Sequence, residues 1–155
     1  MAIEQGGALP DLELAGVAGA PLKLRAYLGK PLVLYFYPKD DTTGCTREAQ
    51  DFSTLAADFQ DAGVAVLGVS PDAPAKHAKF TAKYDLAVPL ASDADHVVME
   101  AFGVWVAKSM YGRDYMGVER STFLFAADGT LAQSWRKVRV AGHAELVLAA
   151  AKALG

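Results

Sequence analysis

Cysteine is nearly absent from these 155 residues: there is one, Cys45. A single thiol makes no internal disulfide and no thiolate-rich zinc site, so a reducing, cytoplasmic setting is the expectation. Long hydrophobic runs are missing too. The longest, Leu32–Tyr37 and Val64–Val69, fall far short of the roughly 20 residues of a membrane helix. The N-terminus, Met1-Ala-Ile-Glu, lacks the basic and apolar regions of a secretory signal, which argues against export. Neither sign of charge dominates: 15 Lys and Arg against 18 Asp and Glu give a net charge of −3. With no basic run and no aromatic-basic interleaving, nothing supports a nucleic-acid partner. G-x-G-x-x-G and P-loop patterns are absent, as are metal-ligand motifs, so no cofactor and no metal is expected. No repeat, low-complexity tract or linker interrupts the chain. Its 52% hydrophobic content is enough for one sizeable core, so a single domain over residues 1–155 is expected.

What is present alternates in period. Leu12–Leu14 and Leu22–Leu24, joined through a Gly-containing turn, read as a small N-terminal hairpin. Residues 32–37 and 64–69 are apolar throughout, as in strands covered on both faces. From Thr46 the spacing of Ala49, Phe52, Leu55, Ala56 and Phe59 is helical. Asp72 suits the cap of a helix running to about Tyr84, with Pro74 in its first turn. Val88–Leu90 reads as a short strand, and Asp95–Phe102 as a short helix closed by Gly103. Residues 108–118 read as an irregular excursion. Asp128-Gly129 joins strands 121–126 and 131–135 as a hairpin, and His143–Leu154 closes the chain as a helix with Leu146, Ala150 and Leu154 on one face. Strands alternating with helices imply an α/β fold with a mixed central sheet flanked by helices. That order matches a thioredoxin-like layout with an N-terminal extension.

Chemistry concentrates where the first long strand gives way to a helix: Tyr35-Phe-Tyr-Pro-Lys-Asp-Asp-Thr-Thr-Gly-Cys45-Thr-Arg-Glu. A thiol at a helix start faces unpaired N–H groups and the positive end of the helix dipole, which favour thiolate. Most lone cysteines are small core hydrophobes, but the apolar face of this helix begins only at Ala49. Thr42, three residues earlier, places a hydroxyl where it either reaches the space above the sulfur or caps the helix. Pro38 ends strand pairing and stiffens the loop.

The spacing Pro38-x-x-x-Thr42-x-x-Cys45 after an aromatic strand resembles the peroxiredoxin active-site motif. The wider run through Asp51-Phe52 is similar to the bacterioferritin comigratory protein (PrxQ) branch, and so are Gly68-Val-Ser-Pro-Asp72, Phe102-Gly-Val-Trp105, Met110-Tyr-Gly112, Arg120-Ser-Thr-Phe123 and Gly142-His-Ala144. The resemblance implies a thioredoxin-like fold and a thiol-dependent, antioxidant peroxidase (an oxidoreductase) with Cys45 as its redox-active centre. By the same resemblance Cys45 is the peroxidatic nucleophile, Thr42 and Pro38 shape its pocket, and Arg120 holds thiolate and peroxide. The bland reading of Arg120 is an ion pair with Glu119 or Asp114. Glu48, one turn beyond Cys45, would oppose the thiolate if it faced the sulfur, and is expected to turn toward Arg47 or Arg120.

The chain departs from that branch in one decisive way. Many members carry a second cysteine five residues after the first, where this chain has Gln50; others carry it near residues 73–84, where this chain has none. A 1-Cys cycle follows as the expectation, resolved by an external thiol (thioredoxin, glutaredoxin or a low-molecular-weight thiol) in a monomer or weak dimer. Asp41 and Thr43 stand where Phe and Pro are more usual. Two rivals remain at this point. A peroxide sensor or holdase without turnover would use the same thiolate. A thiol hydrolase would need a histidine beside the nucleophile, but His77, His96 and His143 all read as surface residues on helices. Phe102, Trp105, Tyr111 and Tyr115 read as packing aromatics rather than the lining of a hydroperoxide channel.

Overall fold

The computed structural model describes residues 3–154. Its elements follow in chain order: β1 (Glu13–Ala15), β2 (Pro21–Lys23), β3 (Leu32–Phe36), α1 (Thr43–Thr54), α2 (Ala56–Asp61), β4 (Ala65–Ser70) and α3 (Pro74–Tyr84). Then come β5 (Leu90–Ser92), α4 (Val97–Ala101), β6 (Trp105–Met110), β7 (Arg113–Val118), β8 (Ser121–Phe125), β9 (Leu131–Trp135) and α5 (His143–Leu154). Seven strands form one mixed sheet in the order β2-β1-β5-β4-β3-β8-β9, while β6 and β7 pair only with each other. The parallel pairs β3–β4 and β4–β5 sit at the centre and the antiparallel pairs flank them. This is the α/β, thioredoxin-like arrangement expected, and the N-terminal hairpin is there with Leu14 opposite Leu22.

Alternation along β3 divides the core. Val33, Tyr35 and Tyr37 face one layer with Phe52, Phe59, Phe80 and Val147 of the helices. Leu32, Leu34 and Phe36 face the other with Phe102, Phe123 and Phe125. Because both faces are covered, β3 and β8 are buried at every position.

Several expectations are corrected. The helix that follows Cys45 does not run unbroken to Phe59: it breaks at Leu55 (φ −95°, ψ 4°) into α1 and α2. Asp72 does not cap α3; the cap position is Ala73, and the Asp72 carboxylate instead accepts from Ser70 Oγ, Lys76 Nζ and the Asp40 N–H. The region 108–118 is not an irregular excursion: it is the end of β6, the turn and the whole of β7 in an antiparallel hairpin. On α5 the buried stripe is Ala144, Val147, Leu148 and Ala151, while Leu146 and Leu154 are exposed. An alanine-rich helix offers apolar residues on neighbouring stripes, so spacing alone does not choose between them. The aromatics divide as well. Phe102 is core and Trp105 stacks on His96 at 3.6 Å, but Tyr111 and Tyr115 are exposed on the hairpin. Among the described residues no helix is long and apolar enough to cross a membrane.

One packing constraint bears directly on the site. Tyr35 lies opposite Gly68 in the β3–β4 register and stacks on Phe52 with ring centroids 4.6 Å apart. A Cβ at Gly68 would sit 2.6 Å from the Tyr35 ring and 2.8 Å from Leu90, and both neighbours are buried. Gly68→Ala is therefore expected to destabilise the fold by about 1–3 kcal/mol through overpacking, read as a lower urea midpoint at unchanged slope.

Candidate active site

The loop begins where the sheet stops. The Tyr37 N–H still donates to Val69 O at 3.0 Å, and half-buried Pro38, without an N–H, ends the ladder. Asp41 takes a left-handed backbone (φ 61°), and Thr42 returns to an extended one (φ −97°, ψ 156°) as the residue that opens α1. Its carbonyl accepts the Thr46 N–H at 2.8 Å. Its hydroxyl does not cap the helix; it donates to Lys39 O at 2.8 Å, fixing the turn and leaving lone pairs toward the open side. The first-turn N–H groups of α1 are thus not satisfied by a side-chain cap. Cys45 lies in that turn and is only 2% exposed.

Arg120 comes from the opposite side. It immediately precedes β8, whose first residue Ser121 pairs with Phe36, the last of β3, so both functional segments leave the same end of the sheet. Its guanidinium forks. Nη2 donates to Cys45 Sγ at 3.2 Å, and Nη1 to Glu48 Oε1 at 2.6 Å. Gly44 makes room: a Cβ there would meet Nη2 at 3.3 Å. The ion pair considered for Arg120 with Glu119 or Asp114 does not form; Glu119 lies 3.8 Å from Arg136 instead. Glu48 turns to Arg120, not Arg47, and is buried. Burial pushes its carboxyl up to about 7 against the pull of the guanidinium. Thr42 and Pro38 border the loop but make no hydrogen bond to the sulfur; among the described residues that contact belongs to Arg120.

A second polar cluster anchors the loop to α3. Buried Asp40 accepts from Tyr37 Oη at 2.6 Å and lies 2.6 Å from His77 Nδ1, while its N–H donates to Asp72 at 2.7 Å. His77 Nε2 is 3.0 Å from Ala91 O. A carbonyl only accepts, so Nε2 carries the hydrogen in that contact. Asp41 adds exposed bonds from Lys83 Nζ (2.8 Å) and Tyr84 Oη (2.6 Å).

Comparison with known proteins gives the family. Residues 5–134 match the AhpC/TSA family. The chain is 50% identical over 151 residues to peroxiredoxin Bcp of Xanthomonas campestris, covering 97% of this chain and 94% of that one. The chain belongs to the AhpC/TSA family. Its peroxiredoxin branch is equally clear: Bacillus subtilis peroxiredoxin Bcp is 50% identical over 143 residues, covering 92% and 91% of the two chains. A Xylella fastidiosa PrxQ structure superposes with a TM-score of 0.92 at 38% identity over 99% and 98%. A Xanthomonas bacterioferritin comigratory protein, described for its alkyl peroxide reduction activity, superposes at 0.90 with 48% identity over 97% and 98%. The chain is accordingly a PrxQ-type peroxiredoxin, a thiol-dependent peroxidase, and its single cysteine is the single-cysteine variant of that branch. Two further Xanthomonas structures carry serine at one or other of two cysteines thirty-six residues apart. At that spacing from Cys45 this peroxiredoxin has Thr81, within α3.

The structure corrects the surface reading of the histidines. His77 and His143 are buried, and only His96 is half-exposed. The signal was present, since His77, Phe80 and Tyr84 share one helical face, as do His143, Val147 and Ala151. His143 Nε2 lies 2.8 Å from Thr122 Oγ1, and burial, helped by the charge of Arg120, pulls the imidazole down to about 4. Folding therefore favours the neutral ring. Its contribution is present above about 6.5 and is lost as pH falls toward 4, on the order of 1–2 kcal/mol. Glu48 acts oppositely between 4.5 and about 7, so the comparison is between proteins. His143→Gln should flatten the wild-type loss of stability over that acid range, followed by urea unfolding at a series of pH values. Asp40→Ala, which removes the buried partner of both Tyr37 Oη and His77 Nδ1, should cost about 1–3 kcal/mol, whereas Asp41→Ala at the exposed end of the same clasp should change stability little.

Proposed function

We propose that Cys45 is the peroxidatic nucleophile of a 1-Cys peroxidase acting on hydrogen peroxide and organic hydroperoxides. The observation that carries this is the 3.2 Å contact from Arg120 Nη2 to a sulfur at a helix start. A guanidinium stays charged at any relevant pH, so it favours the thiolate and can donate to a peroxide oxygen as well. The thiolate attacks one oxygen, forming S–O as O–O breaks. Cys45 becomes sulfenic acid, and the departing oxygen leaves with the electron pair, takes up a proton and is released as water or alcohol. Donors from Arg120 and the first turn of α1 stabilise charge on that oxygen, while the Thr42 hydroxyl, which donates to Lys39 O, shapes the loop. Pro38 holds the loop against the end of β3. The alkyl peroxide activity described for the Xanthomonas relative supports including organic substrates.

Resolution comes from outside. With one cysteine, the sulfenic acid is reduced by an external thiol, a redoxin or a small thiol, through a mixed disulfide. The whole of residues 1–155 serves as one domain, as a monomer or weak dimer in a reducing compartment such as the cytoplasm.

Steady-state peroxide consumption with a panel of thiol donors tests this. Wild type should turn over repeatedly and Cys45→Ser should be inactive. Consumption of a single equivalent would mark a sensor instead, and an untouched thiol after stoichiometric peroxide, by mass spectrometry, would sink the peroxidase assignment to Cys45. Arg120→Met should slow oxidation of Cys45 by roughly 10²–10³-fold, read as single-turnover rate in stopped flow.

A further inference from the structure

Between β3, α1 and the start of β8, one guanidinium serves two acids. Arg120 reaches Cys45 Sγ at 3.2 Å and Glu48 Oε1 at 2.6 Å. Glu48 is 1% exposed, and its second oxygen, Oε2, has no hydrogen-bond partner among the described residues. The hydroxyl of Tyr35, buried on the same side, has none either. A single cation neutralises one anion. A second anion, sealed from water and with an oxygen that meets no donor, is strongly disfavoured. Cys45 and Glu48 therefore compete for one guanidinium.

We propose that Glu48 is the alternate counter-ion of Arg120, holding a proton while Cys45 is a thiolate and giving it up once peroxide has converted Cys45 to the uncharged sulfenic acid. The proposal rests on Cys45 being the peroxidatic thiol. A proton on Oε2 removes charge from the oxygen that lacks a donor and leaves Oε1 to accept from Arg120. Burial, which pushes the Glu48 carboxyl up to about 7, acts in the same direction.

The other titratable groups around it do not supply a competing charge. Asp51, on the same helix with Arg47 and Glu145 near it, raises Glu48 further. Tyr35 on β3 is held neutral by burial, with Glu48, Cys45 and Asp40 acting the same way. His143 on α5 is neutral above about 4.

The balance of the step is simple. The thiolate forms S–O, the O–O bond breaks, and the departing oxygen takes a proton from water. Glu48 releases one to solvent in compensation, because the charge that Arg120 was neutralising has left the sulfur. The two protonation changes are linked through the guanidinium and require no direct path between the atoms. Arg120 stays tethered throughout, to sulfur and carboxyl before oxidation and to carboxylate after it.

Proton stoichiometry tests the exchange. A single turnover with hydrogen peroxide is run in weak buffer with a pH indicator, at the lowest pH at which thiolate ultraviolet absorbance shows Cys45 ionised. Wild type should take up close to no proton for each Cys45 oxidised. Glu48→Gln, which keeps shape but cannot ionise, should take up one, and its thiolate absorbance should titrate in a single step at lower pH than in wild type. Wild type taking up one proton, or the two proteins titrating identically, overturns the proposal while the peroxidase reading stands. Failure of Cys45 to form sulfenic acid overturns both. If the variant does not fold, the wild-type stoichiometry alone decides.

Discussion

A guanidinium held 3.2 Å from a buried sulfur is the contact on which the rest of this molecule turns. Arg120 and Cys45 are 75 residues apart in sequence, and nothing local brings them together. The sheet does so. The antiparallel register that sets Phe36 against Ser121 brings the chain leaving β3 and the chain entering β8 to one end of the fold. Gly44 then lets the guanidinium lie against the first turn of α1. Register in a sheet buried on both faces is strongly specified, because a slip of one residue exchanges the two sets of core side chains. The reactive geometry thus inherits its accuracy from the hydrophobic alternation of β3 and β8.

Around that contact, polar groups are arranged in two grades of burial. Asp40, Tyr37 and His77 form a sealed network that ties the loop to α3 and to the Ala91 carbonyl of β5. Asp41 repeats the attachment at the surface with Lys83 and Tyr84. Asp41, which stands where Phe is more usual in the branch, thus ties the loop to α3 through these two partners. On the other side of the loop, Glu48 shares Arg120 with the sulfur. The site therefore stands between two buried carboxyl groups, one satisfied on both oxygens and one satisfied on a single oxygen.

The strands of the central sheet, their order of appearance and the Cys45 loop are legible in the sequence, because apolar runs and a change from period 2 to helical spacing mark them directly. The pairing of Arg120 with Cys45 came only through resemblance, since a lone arginine ahead of a strand carries no local signal of its partner. Asp72 was misread because a residue that suits a cap suits a loop anchor equally well, and tertiary bonds to Asp40 and Lys76 decided it. His77 and His143 differ from their surface reading for another reason: their helical spacing with Phe80 and Val147 places them on the inward faces of α3 and α5. The break at Leu55 and the β6–β7 pairing have no strong signature, as no Gly or Pro marks the first and two glycines obscure the second.

The β6–β7 hairpin bonds only to itself, and its tip residue Tyr111 is 98% exposed. Its turn is made by Tyr111 and Gly112, both with positive φ, beyond the last strand pair Met110–Arg113. An exposed tip whose backbone holds no other part of the fold is where added chain is best tolerated. The peroxiredoxin thus carries a natural attachment point for a fluorophore or a fused domain, set apart from the strand ends that align sulfur and guanidinium.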